Sequence, residues 1–217
     1  FGGKGNVDKL REAFKQLGFS GMEEVALGAD LCTIQESEDF LEEVPEKIPF
    51  MGTSCCPAWS VMAKKEFPKN ADCISMALTP MTLTARLIRK QHPNAKIVFV
   101  GPCSAKKLEA MRESVRSEVD FVLTFEEMAG MMSAKEIDYT KLAGEGGDFD
   151  VASADGRGFA VAGGVATAVA NAIHKRYPER EVKVANAEGL EECRKLMKDA
   201  VKGKYDGYLL EGMACPG

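Results

Sequence analysis

Lys96-Ile97-Val98-Phe99-Val100-Gly101-Pro102-Cys103 reads as a short, β-branched, buried strand that stops at Gly-Pro and delivers a cysteine into the turn. Two other stretches share this form. Residues 48–51 are a short apolar run leading into Thr53-Ser54-Cys55-Cys56-Pro57, and residues 208–213 lead into Ala214-Cys215-Pro216. Each strand is followed, directly or within a few residues, by a cysteine in a turn that contains proline. In open α/β sheets, sites gather at the carboxyl ends of strands, so Cys56, Cys103 and Cys215 can converge on one point.

Helical patterns fill the intervals between strands. Apolar residues recur at helical spacing over 7–17, with Gly18 as the stop. Residues 23–27 read as a short strand, and 36–44 as a helix that ends before Pro45. Pro57 fits the first turn of a helix, where its missing N–H costs nothing, so 58–67 should be helical. Thr79-Pro80 repeats that signal for a helix reaching about residue 90. Further on, 120–124 is a strand, 125–132 a helix, 163–175 a helix, 181–185 a strand and 190–202 a helix. Residues 143–150 are rich in glycine and acid, a loop that suggests a lobe junction at roughly 140–155. Strands alternating with helices imply an α/β fold, here of two lobes, with mixed or parallel sheets flanked by helices.

The chain has 217 residues, 45% hydrophobic and 28% charged, as in ordinary globular proteins, and one two-lobed domain over 1–217 accounts for its length. A net charge of −5 argues against nucleic acid or an anionic membrane surface as partner. No apolar run reaches the ~20 residues that cross a bilayer, and the expected location is the cytoplasm. The start, Phe1-Gly2-Gly3-Lys4-Gly5, reads as the inside of a longer protein. Seven cysteines are unevenly spaced and do not read as a disulfide scaffold in a chain of this length. Thiolates from distant loops are iron–sulfur ligands by chemistry, and buried packing is their bland alternative. Cys32, Cys73 and Cys193 have no motif context and read as packing; His92 and His174 read as surface residues.

The local strings narrow the choice. Thr53-Ser54-Cys55-Cys56-Pro57-Ala58-Trp59, the run from Gly101 to Ala110, and Glu211-Gly212-Met213-Ala214-Cys215-Pro216-Gly217 resemble, in order, the signature segments of FeFe (iron-only) hydrogenases. Those segments are TSCCP-x-W, PC-x-x-KK-x-E and E-x-MAC-x-GGC. Phe159-Ala160-Val161-Ala162-Gly163-Gly164-Val165 is similar to the family's FGATGGV turn. The resemblance runs from about Leu17 to the final residue.

The resemblance implies a 4Fe–4S cube bridged to a two-iron unit carrying CO, cyanide and a dithiolate, in a site between the two lobes. Cys56, Cys103 and Cys215 would ligate the cube, Cys215 being the sulfur shared with the two-iron unit. The fourth cluster cysteine would fall just past Gly217, so the chain by itself is expected to be inactive. Cys55 would be the proton-donating thiol, Lys106 the hydrogen-bond donor to a cyanide, and Ser75 the serine of the proton path. Ser54, Pro102, Phe159, Gly163, Gly164 and Met213 would line the pocket. Lys107 and Glu109 read as the solvated face of a helix, and Trp59 as a packing residue behind Cys56. The implied activity is reversible reduction of protons to H₂ in an anaerobic cell. Electrons would come from ferredoxin or upstream ferredoxin-like domains, and dedicated maturation proteins would build the cofactor.

Two departures from the family pattern stand out. Gly101 occupies a position where many hydrogenases carry methionine, which suggests extra room. Ser37 and Phe40 fall at the positions of the two proton-path glutamates, though Glu36, Glu38, Glu42 and Glu43 crowd nearby, which suggests a broken or rerouted path. Gly101 and Ala58 together resemble the family's sensory branch, so a hydrogen sensor of low turnover is one alternative. A second is a related iron–sulfur assembly factor without the two-iron unit.

Overall fold

In the computed structural model, residues 6–144 and 152–215 are described, and most of the glycine- and acid-rich loop expected at 143–150 lies outside them. The chain divides into two units, Phe1–Val25 with Thr84–Ala152, and Ala26–Leu83 with Ser153–Gly217. Each unit is thus assembled from two separate stretches.

The first unit starts with helix α1 (Val7–Gln16), capped by the Asn6 side chain, which accepts the Lys9 amide at 2.9 Å. It holds most of α4 (Pro80–Gln91), strand β2 (Val98–Gly101), helix α5 (Ala105–Met111), strand β3 (Phe121–Thr124) and helix α6 (Phe125–Ala134). β2 and β3 pair in parallel, Val98 opposite Phe121 and Gly101 opposite Thr124, and α5 is the crossover that a parallel pair requires. Thr124 and Glu127 form a reciprocal capping box at the start of α6. Ala13, Met128 and Met132 are buried together beneath this unit.

The second unit is a three-layer sandwich. Helix α2 (Ala26–Glu43), strand β1 (Met51–Gly52) and helix α3 (Pro57–Glu66) come from its first stretch. Helices α7 (Ala154–Gly158), α8 (Gly164–Arg176) and α9 (Leu190–Ala200) and strands β4 (Lys183–Glu188) and β5 (Tyr208–Met213) come from its second. The sheet order is β1-β5-β4, all parallel, so β5 is central. Leu209 and Leu210 are both fully buried, as a central parallel strand demands, and they point to opposite faces. Leu210 packs with Trp59 and Met62 of α3 and Cys193 and Met197 of α9. Leu209 packs with Phe40 of α2 and Val169 and Ile173 of α8.

Most expected elements are present, within a few residues of their expected ends. The exception is the region before Pro45. No strand forms at 23–27, and α2 begins at Ala26, ten residues before the expected helix. Gly28, Ala29, Cys32 and Thr33 continue its buried stripe backwards, so tertiary burial extends a helix that the sequence pattern alone stops short.

A single contact fixes the registration of α3 on this sheet. A Cβ added at Gly212 would lie 2.2 Å from the Trp59 ring, and one at Gly52 would lie 2.7 Å from Ile74 and 3.4 Å from Trp59. The indole occupies the space that side chains on β5 and β1 would need, and its Nε1–H donates to the Thr53 carbonyl at 3.0 Å. Gly212→Ala should therefore cost about 2 kcal/mol or more, measured by urea denaturation. Trp59→Leu in the same chain should recover part of that loss; strictly additive costs would mean the two residues do not oppose each other.

Candidate functional site

The sheet of the second unit is parallel, so β1 and β5 end at the same edge. Cys56 follows β1 and Cys215 follows β5 at that edge. Cys56 is the N-cap of α3 in extended conformation, its side chain makes no capping bond, and Pro57 takes the first helical position. Instead the Cys56 sulfur accepts the Ala214 N–H at 3.5 Å, a bond that ties the two cysteine-bearing loops together. Beneath them lies Cys193, fully buried, its thiol donating to the carbonyls of Ala187 and Met213. Burial, then the neighbouring Cys56 and Cys215, push the Cys193 thiol up to about 11. Cys193 is thus a packed neutral thiol, and Cys32 and Cys73 are likewise buried packing residues. Met213 ends β5, half-buried.

The loop before Cys56 leans on one of the acids that the sequence crowds around Ser37 and Phe40. Glu36 of α2 is fully buried, and its Oε1 accepts the Ser54 amide at 3.1 Å and the Ser54 hydroxyl at 3.4 Å. The Ser54 hydroxyl also donates to the Ala77 carbonyl at 2.8 Å. The second oxygen, Oε2, makes no hydrogen bond of good geometry among the described residues. Burial drives the Glu36 carboxyl up to about 7, opposed by the Ser54 amide and the Ser75 and Ser54 hydroxyls and reinforced by the charge of Asp39. Ser75, whose hydroxyl also accepts the Ala77 amide at 3.0 Å, lines a cavity of about 530 Å³ with Asp39, Glu43, Lys64 and Asp72.

Neither Ser37 nor Phe40 reaches Ser54 or the cavity beside Ser75. The Ser37 hydroxyl donates to the Thr33 carbonyl at 2.6 Å, and Phe40 lies in the core. One residue earlier in the helix, Glu36 and Asp39 keep the same three-residue spacing and reach Ser54, Ser75 and the cavity.

A second buried acid anchors the glycine turn. Gly163 adopts φ +81°, and a Cβ at Gly164 would fall 1.9 Å from the Gly158 carbonyl oxygen, so both positions demand glycine. Gly163 offers no capping side chain to α8, and Glu211 of β5 takes that role from across the unit. Its carboxylate accepts the amides of Gly163 at 3.0 Å and Ala166 at 2.8 Å. Sequence reading gave Glu211 no role, although it opens the third motif. Phe159, half-buried, closes α7 just before this turn.

In the first unit, Pro102 is exposed and Cys103 half-buried in the turn that follows β2. Lys106 is mostly buried and donates to Glu109 at 2.7 Å, while Lys107 pairs with Glu127 at the surface. Glu109 is 3% exposed, so it is not part of a solvated face. The extra room expected at Gly101 is also absent: a Cβ there would meet the Phe99 ring at 2.6 Å. Among the described residues no three His, Cys, Asp or Glu side chains gather at metal-binding distance. Nor is any described helix long and apolar enough to cross a membrane.

The model of the family "Iron only hydrogenase large subunit, C-terminal domain" matches residues 3–217. The chain is 26% identical over 223 residues to iron hydrogenase 1 of Clostridium pasteurianum, covering 94% of this chain and 39% of that protein. It is 32% identical over 142 residues to a cytosolic Fe-S cluster assembly factor of Debaryomyces hansenii, covering 58% of this chain and 26% of the relative. The fold superposes on the HydA1 FeFe-hydrogenase of Chlamydomonas reinhardtii with a TM-score of 0.77 at 22% identity, over 99% of this chain and 72% of that one.

Glu36 makes the stability of the chain pH-dependent. Its folded pKa lies above the unfolded one, so the native state holds the proton more tightly and stability falls as pH rises from about 4.5 through about 7. Glu36→Gln removes this loss. Between pH 5 and pH 8 the variant should gain about 3 kcal/mol relative to the parent in urea titrations. Parallel stability curves for the two proteins would rule out a buried, protonated Glu36.

Proposed function

The chain belongs to the family formed by the C-terminal domain of iron-only hydrogenase large subunits, and on that premise we propose that it interconverts protons, electrons and H₂ at an iron–sulfur-linked two-iron cofactor. The observation that carries this reading is the fully buried Glu36 carboxyl, poised near neutrality and bonded to the amide of Ser54, the residue before Cys55.

The residues present suit such a group. Thiols stand past strand ends, one of them with an N–H donor on its sulfur, and close-packed glycines let backbone approach near Gly164. Cys56, Cys103 and Cys215 would hold the cube, and Lys106 would donate to a cyanide. When bound, the group supplies the redox chemistry that joins two protons and two electrons as H₂.

The protein moves the protons. The Cys55 thiol holds one at Sγ. A carboxyl with a pKa near 7 both gives and takes a proton at neutral pH, which suits Glu36 to resupply Cys55. The Ser75 hydroxyl would link Glu36 to the acid-lined cavity, where Asp39 stands at the wall. Electrons would come from a ferredoxin-type donor.

The sensory reading draws on Gly101 and Ala58, and at Gly101 the Phe99 ring takes up the space that the missing side chain leaves. The assembly-factor alternative draws on the yeast relative, but Cys55 and Lys106 would serve only the two-iron unit.

Infrared spectra of full-length, maturated protein should show CO and cyanide stretches; their absence would sink the proposal. Glu36→Gln should keep those bands while slowing turnover by about 10²-fold, the usual contribution of a proton-transfer group. Cys55→Ala should lose turnover with the cube absorbance intact. Loss of the cube instead would exchange the roles of Cys55 and Cys56.

A further inference from the structure

The peptide bond between Met213 and Ala214, at the end of β5, is held from both sides. Its carbonyl oxygen accepts the Gly189 N–H at 2.8 Å, which extends the β4–β5 ladder by one bond. The same oxygen accepts the Cys193 thiol, whose sulfur lies 3.5 Å from it and 3.5 Å from the Ala187 carbonyl oxygen. On the other side, the Ala214 N–H donates to the Cys56 sulfur at 3.5 Å. In a trans peptide C=O and N–H point in opposite directions, so whatever fixes the oxygen also aims the N–H. Both donors to that oxygen belong to one turn. Gly189 is the N-cap of α9 at φ +81°, and its carbonyl accepts the N–H of Cys193 at 3.0 Å. Cys193 is fully buried in an apolar cluster with Trp59, Leu196 and Leu210. There its S–H is turned to two carbonyl oxygens, which suits a donor and not a metal ligand.

We propose that Cys193 is a positioning residue: with Gly189 it sets the Met213–Ala214 peptide so that the Ala214 N–H stays aimed at the Cys56 sulfur, and so raises the reduction potential of the iron–sulfur group that Cys56 holds. An N–H on a cluster's cysteine sulfur offsets the negative charge that reduction adds, and such bonds are among the levers that set the potential. That Cys56 holds such a group rests on the function proposed above; the grip on the peptide rests on the geometry of the larger unit alone. The sequence shows why these residues meet. Gly189-Leu190-Glu191-Glu192-Cys193 spaces the glycine and the thiol about one helical turn apart. The β4–β5 register, with Glu188 opposite Met213, then brings that turn to the end of β5.

Two measurements test this separately. In cofactor-free full-length protein, the Ala214 amide should exchange its hydrogen about tenfold or more slowly than in an unstructured peptide. Cys193→Ala should speed that exchange several-fold, while Cys193→Ser, which keeps a donor, should not. Unprotected exchange at Ala214 in the unmutated protein overturns the proposal without any variant having to fold. In full-length protein carrying the 4Fe–4S cube alone, a redox titration should give Cys193→Ala a more negative midpoint. At the midpoint of the parent, its reduced-to-oxidised ratio should be several-fold lower, and Cys193→Ser should titrate with the parent. Coincident midpoints for Cys193→Ala and the parent overturn the tuning role. Equal shifts for Cys193→Ala and Cys193→Ser overturn it too, since loss of packing would then account for both. A cube that binds unchanged in Cys56→Ala refutes Cys56 as its ligand instead, and exchange at Ala214 then still decides whether the peptide is held.

Discussion

The Trp59 indole lies against bare backbone at Gly212 and close to Gly52, and the cysteine-bearing edge of the larger unit depends on that contact. Helix α3 can approach the sheet so closely only because both strands lack side chains there. The same approach sets where the helix begins, and so where Cys56 sits relative to Ala214, whose N–H reaches the Cys56 sulfur. Trp59 is tied back to Thr53 through its own N–H, which closes the loop between β1 and α3 on itself. A cysteine pair on two different loops thus acquires a fixed relation from a packing contact that involves neither cysteine.

Three buried carboxylates show how one functional group takes three characters. Glu211 accepts two backbone amides at the start of α8 and acts as a cap supplied from another element. Glu109 is held by the ammonium of Lys106. Glu36 has only one well-bonded oxygen, so desolvation prevails and the group sits near neutrality. Burying a carboxylate is costly; amides offset that cost only in part in the first case, where burial still pushes the carboxyl up, and a cation faces it in the second. In the third it is relieved by holding a proton. The incompletely bonded acid is the one fitted to exchange that proton.

Much of this was legible in the sequence. Strand β5, the Pro57 start of α3, helix α6 and the cysteines past strand ends follow from local chemistry that tertiary structure did not overrule. Helix α2 was not legible at its start, because residues 23–27 carry enough apolar character to resemble a strand. That error had a consequence. Starting the helix at Glu36 hid the buried stripe of Ala29, Cys32, Thr33, Glu36 and Phe40, whose three- and four-residue spacing places Glu36 on the inner face. With that phase in hand, Glu36 is an acid on a buried face, which is a functional signal. Without it, Glu36 was one more acid in a charged run. Glu109 was misread for the related reason that an i,i+3 Lys/Glu spacing looks the same on a solvated face and a buried one.

Gly101 illustrates the limit of comparing motifs position by position. A missing side chain suggests a hole, but strand residues two apart share a face, and the Phe99 ring folds over the space above Gly101. Volume given up at one position is supplied from the other, so a departure in the motif need not be a departure in shape. Replacing Gly101 with a larger residue would displace an aromatic ring rather than fill a void, and so would test the position of Phe99 before it tested the chemistry of the site. The same holds along α2: what matters is which face of the helix carries an acid, and a shift of one residue sets the Glu36 carboxyl on the inner face beside Ser37.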